Sequence, residues 1–260
     1  MILWNKTILI AGASSGIGRR VALQLAGKNN RLIIFARRKE QLKSLSEDIL
    51  AAGSKVLLVA GDALNKEQAE AAVSQGVIAF GRIDVALLNV GDGPAFNMSK
   101  TGVDDVLGNM DLNYATMVNF LMPLIAQMKA QGGGLIAHTN SLAGFLGLPM
   151  QGPYSAAKAA CRILMDTCRI ELKPFGLRFV SAYPGFVATE RVANDGIPAP
   201  FEISETVAAR HIIKAMKKER ADYLFPFITS SLIRLALLLP KSITGYLLSR
   251  LVSKSVPSDY

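Results

Sequence analysis

Tyr154 and Lys158 stand four residues apart in Tyr-Ser-Ala-Ala-Lys, a spacing that puts both side chains on one face of a helix. A phenol ordinarily titrates at about pH 10, and an ammonium beside a phenol favours the phenolate, bringing proton transfer toward neutral conditions. Ser141 lies thirteen residues earlier, just beyond the apolar run Gly134–Thr139. From there its hydroxyl can hydrogen-bond the carbonyl oxygen that the phenol would protonate. A Tyr-x-x-x-Lys pair occurs by chance in many proteins; a serine placed to share its target gives the pair weight.

Proton transfer to a carbonyl oxygen needs a hydride for the carbon, and the N-terminal region is built to hold a hydride carrier. The apolar run Thr7–Ala11 leads directly into Gly12-Ala13-Ser14-Ser15-Gly16-Ile17-Gly18 and then into a helical pattern. In a strand–turn–helix unit such glycines serve a tight turn, close approach of a pyrophosphate and close helix–strand packing, and the helix N-terminus offers N–H groups to phosphates. The second apolar run ends in Ala36-Arg37-Arg38-Lys39. An NAD site places a carboxylate there for the ribose hydroxyls, whereas a guanidinium fork suits a 2′-phosphate. The expected cofactor is therefore NADP(H), with Arg37 the first choice for the phosphate and Arg38 the second.

These groups need a scaffold, and the chain alternates short apolar runs with longer helical patterns. Thr7–Ala11, Arg31–Ala36, Lys55–Ala60, Val85–Asn89, Gly134–Thr139 and Arg178–Tyr183 read as buried strands. Gly16–Lys28, Lys39–Ala52, Lys66–Phe80, Thr101–Ala130 and Pro153–Lys173 read as helices between them. The alternation predicts an α/β fold, a doubly wound (Rossmann) parallel sheet covered on both faces. No linker divides the first 225 residues, so 1–226 are expected to form one catalytic domain and 227–260 an apolar, basic helical extension.

The glycine loop, Asp62 after the third strand and Asn89-Val90-Gly91 after the fourth resemble the short-chain dehydrogenase/reductase pattern. So do Asn113, Ser141, Tyr154, Lys158 and the segment Pro184-Gly185-Phe186-Val187-Ala188-Thr189. The resemblance covers roughly residues 5–225, in order and in spacing. It implies Tyr154 as acid or base, Ser141 orienting the substrate oxygen, Lys158 on the nicotinamide ribose and Asn113 anchoring a water in a proton relay. It implies a cofactor held by Gly12, Ser14, Ser15, Gly16, Ile17 and Gly18, by Asp62 and Ala63 at the adenine, and by Asn89, Val90 and Gly91 along the groove. Pro184, Gly185, Val187 and Thr189, with Tyr154 and Lys158, would complete the nicotinamide end. Ala11, Leu88 and Val90 depart from the family's usual residues, and its Val-Asp-Gly-Gly ending is absent. The resemblance implies a homodimer or homotetramer.

With 260 residues, half of them hydrophobic and 19% charged, the chain can bury a large core. The net charge of +9 is uneven: Thr206–Tyr260 carries nine Lys/Arg against three Asp/Glu. That stretch lacks the interleaved aromatics of a nucleic-acid surface, so no nucleic-acid partner is expected. Cys161 and Cys168 fall on one helix about 10 Å apart, too far for a disulfide. His138 and His211 have no ligand-spaced companions, so no metal is expected, and His138 reads as a packed, hydrogen-bonded strand residue. Met1–Gly12 lacks the features of a signal peptide, and a cytoplasmic location is expected.

Glu190–Ser204, with Gly196, Pro198 and Pro200, reads as a lid over the substrate or as an ordinary surface connection. Beyond Phe225 two short apolar helical patterns flank Pro240, with Arg234, Lys241, Arg250 and Lys254 among them. Residues 227–254 suit peripheral contact with the cytoplasmic face of a membrane; a dimer arm and a flap over the substrate pocket fit nearly as well. The function expected is interconversion of a ketone and a secondary alcohol on a lipophilic small molecule. A non-catalytic NADP(H) sensor or scaffold of the same fold is the alternative, disfavoured because a sensor has no use for Ser141, Tyr154, Lys158 and Asn113 together.

Overall fold

The computed structural model describes residues 1–189 and 199–255. In chain order the elements are β1 (Thr7–Ala11), α1 (Gly16–Leu25), β2 (Arg31–Ala36), α2 (Lys39–Ala51), β3 (Lys55–Ala60), α3 (Lys66–Phe80), β4 (Val85–Leu88), α4 (Val103–Met110) and α5 (Thr116–Ala130). There follow β5 (Gly134–Thr139), α6 (Gly152–Glu171), β6 (Leu177–Pro184), β7 (Val187–Ala188), β8 (Ile203–Ser204), α7 (Glu205–Lys218), β9 (Asp222–Phe225), α8 (Phe227–Leu238) and α9 (Lys241–Ser255). Seven strands form one parallel sheet in the order β3-β2-β1-β4-β5-β6-β9. The order turns back at β1 and β4, and this switch point opens a crevice beyond the carboxyl ends of the strands.

The expected doubly wound parallel sheet is what the chain forms, and its central strands are largely apolar because both faces are covered. Ile8 and Ile10 of β1 point into a core with Val21, Leu25, Leu42, Ile212 and Met216, beneath α1, α2 and α7. Leu9 and Ala11 point the other way, into a core with Phe120, Leu124, Met165 and Phe179, beneath α3, α5 and α6. There Phe35 meets Phe120 edge-on at 4.9 Å. Cys161 and Cys168 are buried and free.

Strand boundaries agree with the sequence reading to within a residue or two, and three differences matter more. The helix read as Thr101–Ala130 starts at Val103 and is broken by a π-helical turn at Asp111–Ala115, where the amide of Thr116 reaches back to the carbonyl of Asp111. Apolar periodicity runs through this turn unbroken, which is why pattern alone joins the two helices. α1 stops at Leu25, before Lys28, since Gly27 turns with φ +72° and donates to Ser54 Oγ at 3.1 Å. β9 and α7 carry no reading of their own in the sequence. α7 is capped by Ser204, whose hydroxyl accepts from Val207 N, and it buries Ala208, Ile212, Ala215 and Met216 against the sheet.

His138 departs from expectation in a different way. It is packed, with no exposed surface, between Leu88 of β4 and Ser181 of β6. It is not hydrogen-bonded: neither ring nitrogen has a partner, and Ser181 Oγ beside it has none. Burial, reinforced by the Lys158 charge, holds the imidazole well below its usual pKa. A group that is neutral when native and protonates once unfolded makes stability rise with pH. Its contribution is complete above the ordinary imidazole value of about 6.5 and is lost as pH falls below it. His138→Leu, which exchanges an unpaired polar ring for an apolar side chain, should be neutral or stabilising at neutral pH. Urea unfolding should show the parent losing more stability than the variant between about pH 7.5 and 5, by up to ~1.4 kcal/mol per pH unit. Equal losses would show that the imidazole protonates in place.

Candidate functional site

A cavity of about 730 Å³ occupies the switch-point crevice. Every candidate cofactor residue of the sequence reading lines it except Gly18, which lies beneath, and of the four candidate catalytic residues Ser141, Tyr154 and Lys158 line it directly.

At one end β1 turns into α1. Gly12 has φ +84°, and its amide and that of Ala13 both donate to Phe35 O, at 2.8 and 3.1 Å. A Cβ on Gly12 would lie 3.0 Å from the Asn89 and Val90 backbone, and one on Gly18 only 2.1 Å from Gly12 O and 2.9 Å from Asn89 Nδ2. Asn89 Nδ2 itself donates to Gly12 O at 3.3 Å. Gly16, at φ +56°, has nothing nearer its missing Cβ than Glu205 Oε1 at 3.7 Å. Ser15 does not cap α1 with its side chain, so the first-turn N–H groups are left to a ligand. Arg38 donates from Nε and Nη2 to Ser14 Oγ at 3.2 and 3.0 Å, and also to Ser15 Oγ. Arg37 lines the same wall; it is thus Arg38, the second choice from sequence, whose guanidinium is braced against the glycine loop. Asp62 is fixed by its amide on Gln68 Oε1 at 2.7 Å and by Leu64 N on its carboxylate at 3.0 Å. Glycines shaped to a ligand's approach and open helix N–H groups together fit the pyrophosphate of a dinucleotide.

At the other end Ser141 caps the short 3₁₀ turn Leu142–Gly144, its Oγ accepting from Ala143 N at 3.1 Å. Asn140 ties this turn to α6. Its Oδ1 accepts from Ser141 N at 2.8 Å and its Nδ2 donates to Lys158 O at 3.1 Å. Gly144 permits the approach, since a Cβ there would lie 2.9 Å from Asn140 Oδ1 and 3.0 Å from Lys158 O. Lys158 is 3% exposed; its Nζ donates to Thr139 O at 3.2 Å and sits 5.5 Å from the centre of the Tyr154 ring. Asn113 is wholly buried in the π-helical turn. Its Nδ2 donates to Asp92 O at 2.7 Å and to Asn109 O at 3.1 Å, and its Oδ1 accepts from Asp92 N at 3.2 Å. Between Asn113 and Lys158 lies Gly91, where a Cβ would be 2.5 Å from Asn113 Oδ1 and 3.1 Å from Lys158 Nζ. At Gly93 likewise a Cβ would lie 2.8 Å from the Tyr154 ring.

Sequence patterning does not single out Asn140, Gly93, Glu205, Thr229 or Ile233, yet each borders the site. Asn140 had a signal in standing beside Ser141. Thr229 and Ile233 had none, because α8 reaches the cavity only through the fold; Thr229 Oγ1 is buried there without a partner. Pro184, Gly185, Val187 and Thr189 line the cavity, and Val187–Ala188 pairs with Ile203–Ser204. Of the segment read as a lid, 190–198 lies outside the described residues.

A family model described as short chain dehydrogenase matches residues 6–197. An uncharacterized oxidoreductase of Myxococcus xanthus (strain DK1622) is 32% identical over 90% of this chain and 93% of its own. An A-factor type gamma-butyrolactone 1'-reductase of Streptomyces virginiae is 34% identical over 74% of this chain and 76% of its own. A short-chain type dehydrogenase/reductase from Mycobacterium marinum superposes with a TM-score of 0.77 at 26% identity, over 86% of this chain and 94% of that one.

The packing at Gly18 is testable by itself. With a backbone carbonyl 2.1 Å from its missing Cβ, Gly18→Ala must push α1 off β1. Urea unfolding should show a loss of about 1–3 kcal/mol or more. An unchanged midpoint would show that the contact relaxes freely.

Proposed function

The chain belongs to the short-chain dehydrogenase family and is an oxidoreductase using a nicotinamide cofactor, and on that premise we propose that it interconverts a ketone and a secondary alcohol with NADP(H), on a substrate with a sizeable apolar body. The observation that carries the reading is the meeting of Ser141, Tyr154 and Lys158 at one end of a single cavity whose other end is the glycine loop with Arg37 and Arg38. The bound cofactor supplies the hydride in reduction and accepts it in oxidation. Tyr154 gives its phenolic proton to the carbonyl oxygen, or takes it from the alcohol. Lys158, held by Thr139 O with its ammonium 5.5 Å from the centre of the Tyr154 ring, would hold the nicotinamide ribose beside the phenol. Ser141 Oγ accepts from Ala143 N, which leaves its own hydrogen for the substrate oxygen. Asn113, its amide engaged with Asp92 and Asn109, fixes the Gly91 turn against Lys158 and is assigned the water of the proton relay.

Leu142, Leu148, Phe186 and Ile233 among the lining residues support the apolar substrate, and the reductase named among the relatives is in keeping with carbonyl chemistry. Arg37 and Arg38, with no carboxylate ending β2, support NADP(H) over NAD(H). Ile163 and Ile170 of α6, 54% and 75% exposed, support assembly as a homodimer or homotetramer.

In NADPH oxidation against a panel of ketones, Tyr154→Phe should lose at least ~10²-fold in turnover while still binding NADPH, because only the transferable proton is removed. Near-normal turnover would take Tyr154 out of the mechanism. NADPH should bind more tightly than NADH, and Arg37→Ala or Arg38→Ala should narrow the gap by roughly 1–3 kcal/mol. Equal affinity of the parent for both cofactors would refute the 2′-phosphate assignment.

A further inference from the structure

α8 and α9 carry an apolar surface that no described part of the fold covers. The helical period gathers Phe227, Ile228, Leu232, Leu235 and Leu238 on one side of α8, where they are 82, 51, 53, 58 and 82% exposed. On α9, Ile243, Tyr246 and Leu247 are 46, 57 and 50% exposed. The opposite side of α8 presents Thr229 and Ile233 to the cavity. From Tyr223 to Ser258 there is no Asp or Glu, while Arg234, Lys241, Arg250 and Lys254 are all cationic.

The charges choose among occupants for this surface. A two-fold dimer through it would bring patches of like sign face to face, since 223–258 contributes no acid of its own. A bilayer with anionic headgroups takes both features together, the headgroups meeting the cations and the acyl boundary taking the apolar side chains. No described helix is long and apolar enough to cross a membrane, and 12 and 15 residues give lengths suited to lying in the interface.

We propose that α8 and α9 rest on an anionic bilayer with the outer stripe of α8 in the headgroup–acyl boundary, and that the cavity receives its apolar substrate from the bilayer past α8. The second half rests on the reading of that cavity as the catalytic site. One helix, about 10–12 Å across, then separates lipid from the chamber holding Ser141 and Tyr154. A hydrophobic ketone dissolved in the membrane would enter without crossing water.

Full-length protein should co-sediment with vesicles of equimolar phosphatidylglycerol and phosphatidylcholine about tenfold more than with phosphatidylcholine alone, and less as salt rises. Leu232→Asp with Leu235→Asp, on the outer stripe, should abolish binding while circular dichroism and NADPH affinity stay unchanged. Cys161 and Cys168 are buried, so Ile233→Cys can report access from the cavity wall. On vesicle-bound protein it should react with a bilayer-dissolved dodecylmaleimide about tenfold faster than with a charged, water-soluble maleimide; with no vesicles present the charged reagent should react freely, as the wall is then open to water. Failure of the intact protein to bind anionic vesicles overturns the docking. If the aspartate pair instead turns an oligomer into a monomer, the surface belongs to a second copy. Equal labelling on docked protein overturns the entry route alone. Protein that docks but does not bind NADPH leaves the docking intact and sinks the catalytic reading.

Discussion

The end of the cavity that gathers Ser141, Tyr154 and Lys158 depends on one side chain, the amide of Asn140, which bridges a strand end and a helix. Its oxygen takes the amide of Ser141 and its nitrogen holds the carbonyl of Lys158, so the serine turn and α6 cannot move independently. The bond to Lys158 is buried and that from Ser141 partly so, and a buried amide group left unpaired costs about 1–3 kcal/mol. The missing side chain of Gly144 makes the bridge short enough to form. Tyr154, one helical turn from Lys158, inherits its position from that bridge.

The rest of the site is arranged around it by close backbone approach. Gly91 lets Asn113 and Lys158 come near each other, Gly93 lets the Tyr154 ring lie flat, and Gly18 lets α1 press on β1. The π-helical turn at Asp111–Ala115 brings Asn113 round to bond the Asp92 main chain, which fixes the loop after β4. Parallel strands in fixed register bring these loops to one edge of the sheet, and the reversal of strand order keeps a crevice open between them.

How much of this was legible in the sequence follows from where each signal resides. Strands buried on both faces leave continuous apolar runs, so Thr7–Ala11 and Arg31–Ala36 can be read with their bounds. Tyr154 and Lys158 share one helix, and their relation is a matter of spacing alone. The π-helical turn leaves no trace because an extra residue in one turn does not disturb an apolar pattern already rich in Leu and Met. The bracing of Arg38 by Ser14 and Ser15 depends on how two loops face each other, which neighbouring arginines do not reveal. The lack of partners for His138 is equally hidden, since a histidine in an apolar strand looks the same whether or not its nitrogens are bonded.

The two cores end with the sheet. Among the described residues Phe225 is the last to enter either one, and of α8 only Ser230 is buried. Displacing α8 therefore uncovers little apolar surface that the folded protein had hidden, while displacing α6 or α7 would break open a core. Segments with few buried contacts exchange amide hydrogens through local openings far less costly than global unfolding. One wall of the chamber thus belongs to a weakly held tier of the molecule and the floor that carries Ser141, Tyr154 and Lys158 to a strongly held one. The enclosure can open and reseal on its own timescale while Ser141, Tyr154 and Lys158 keep their geometry.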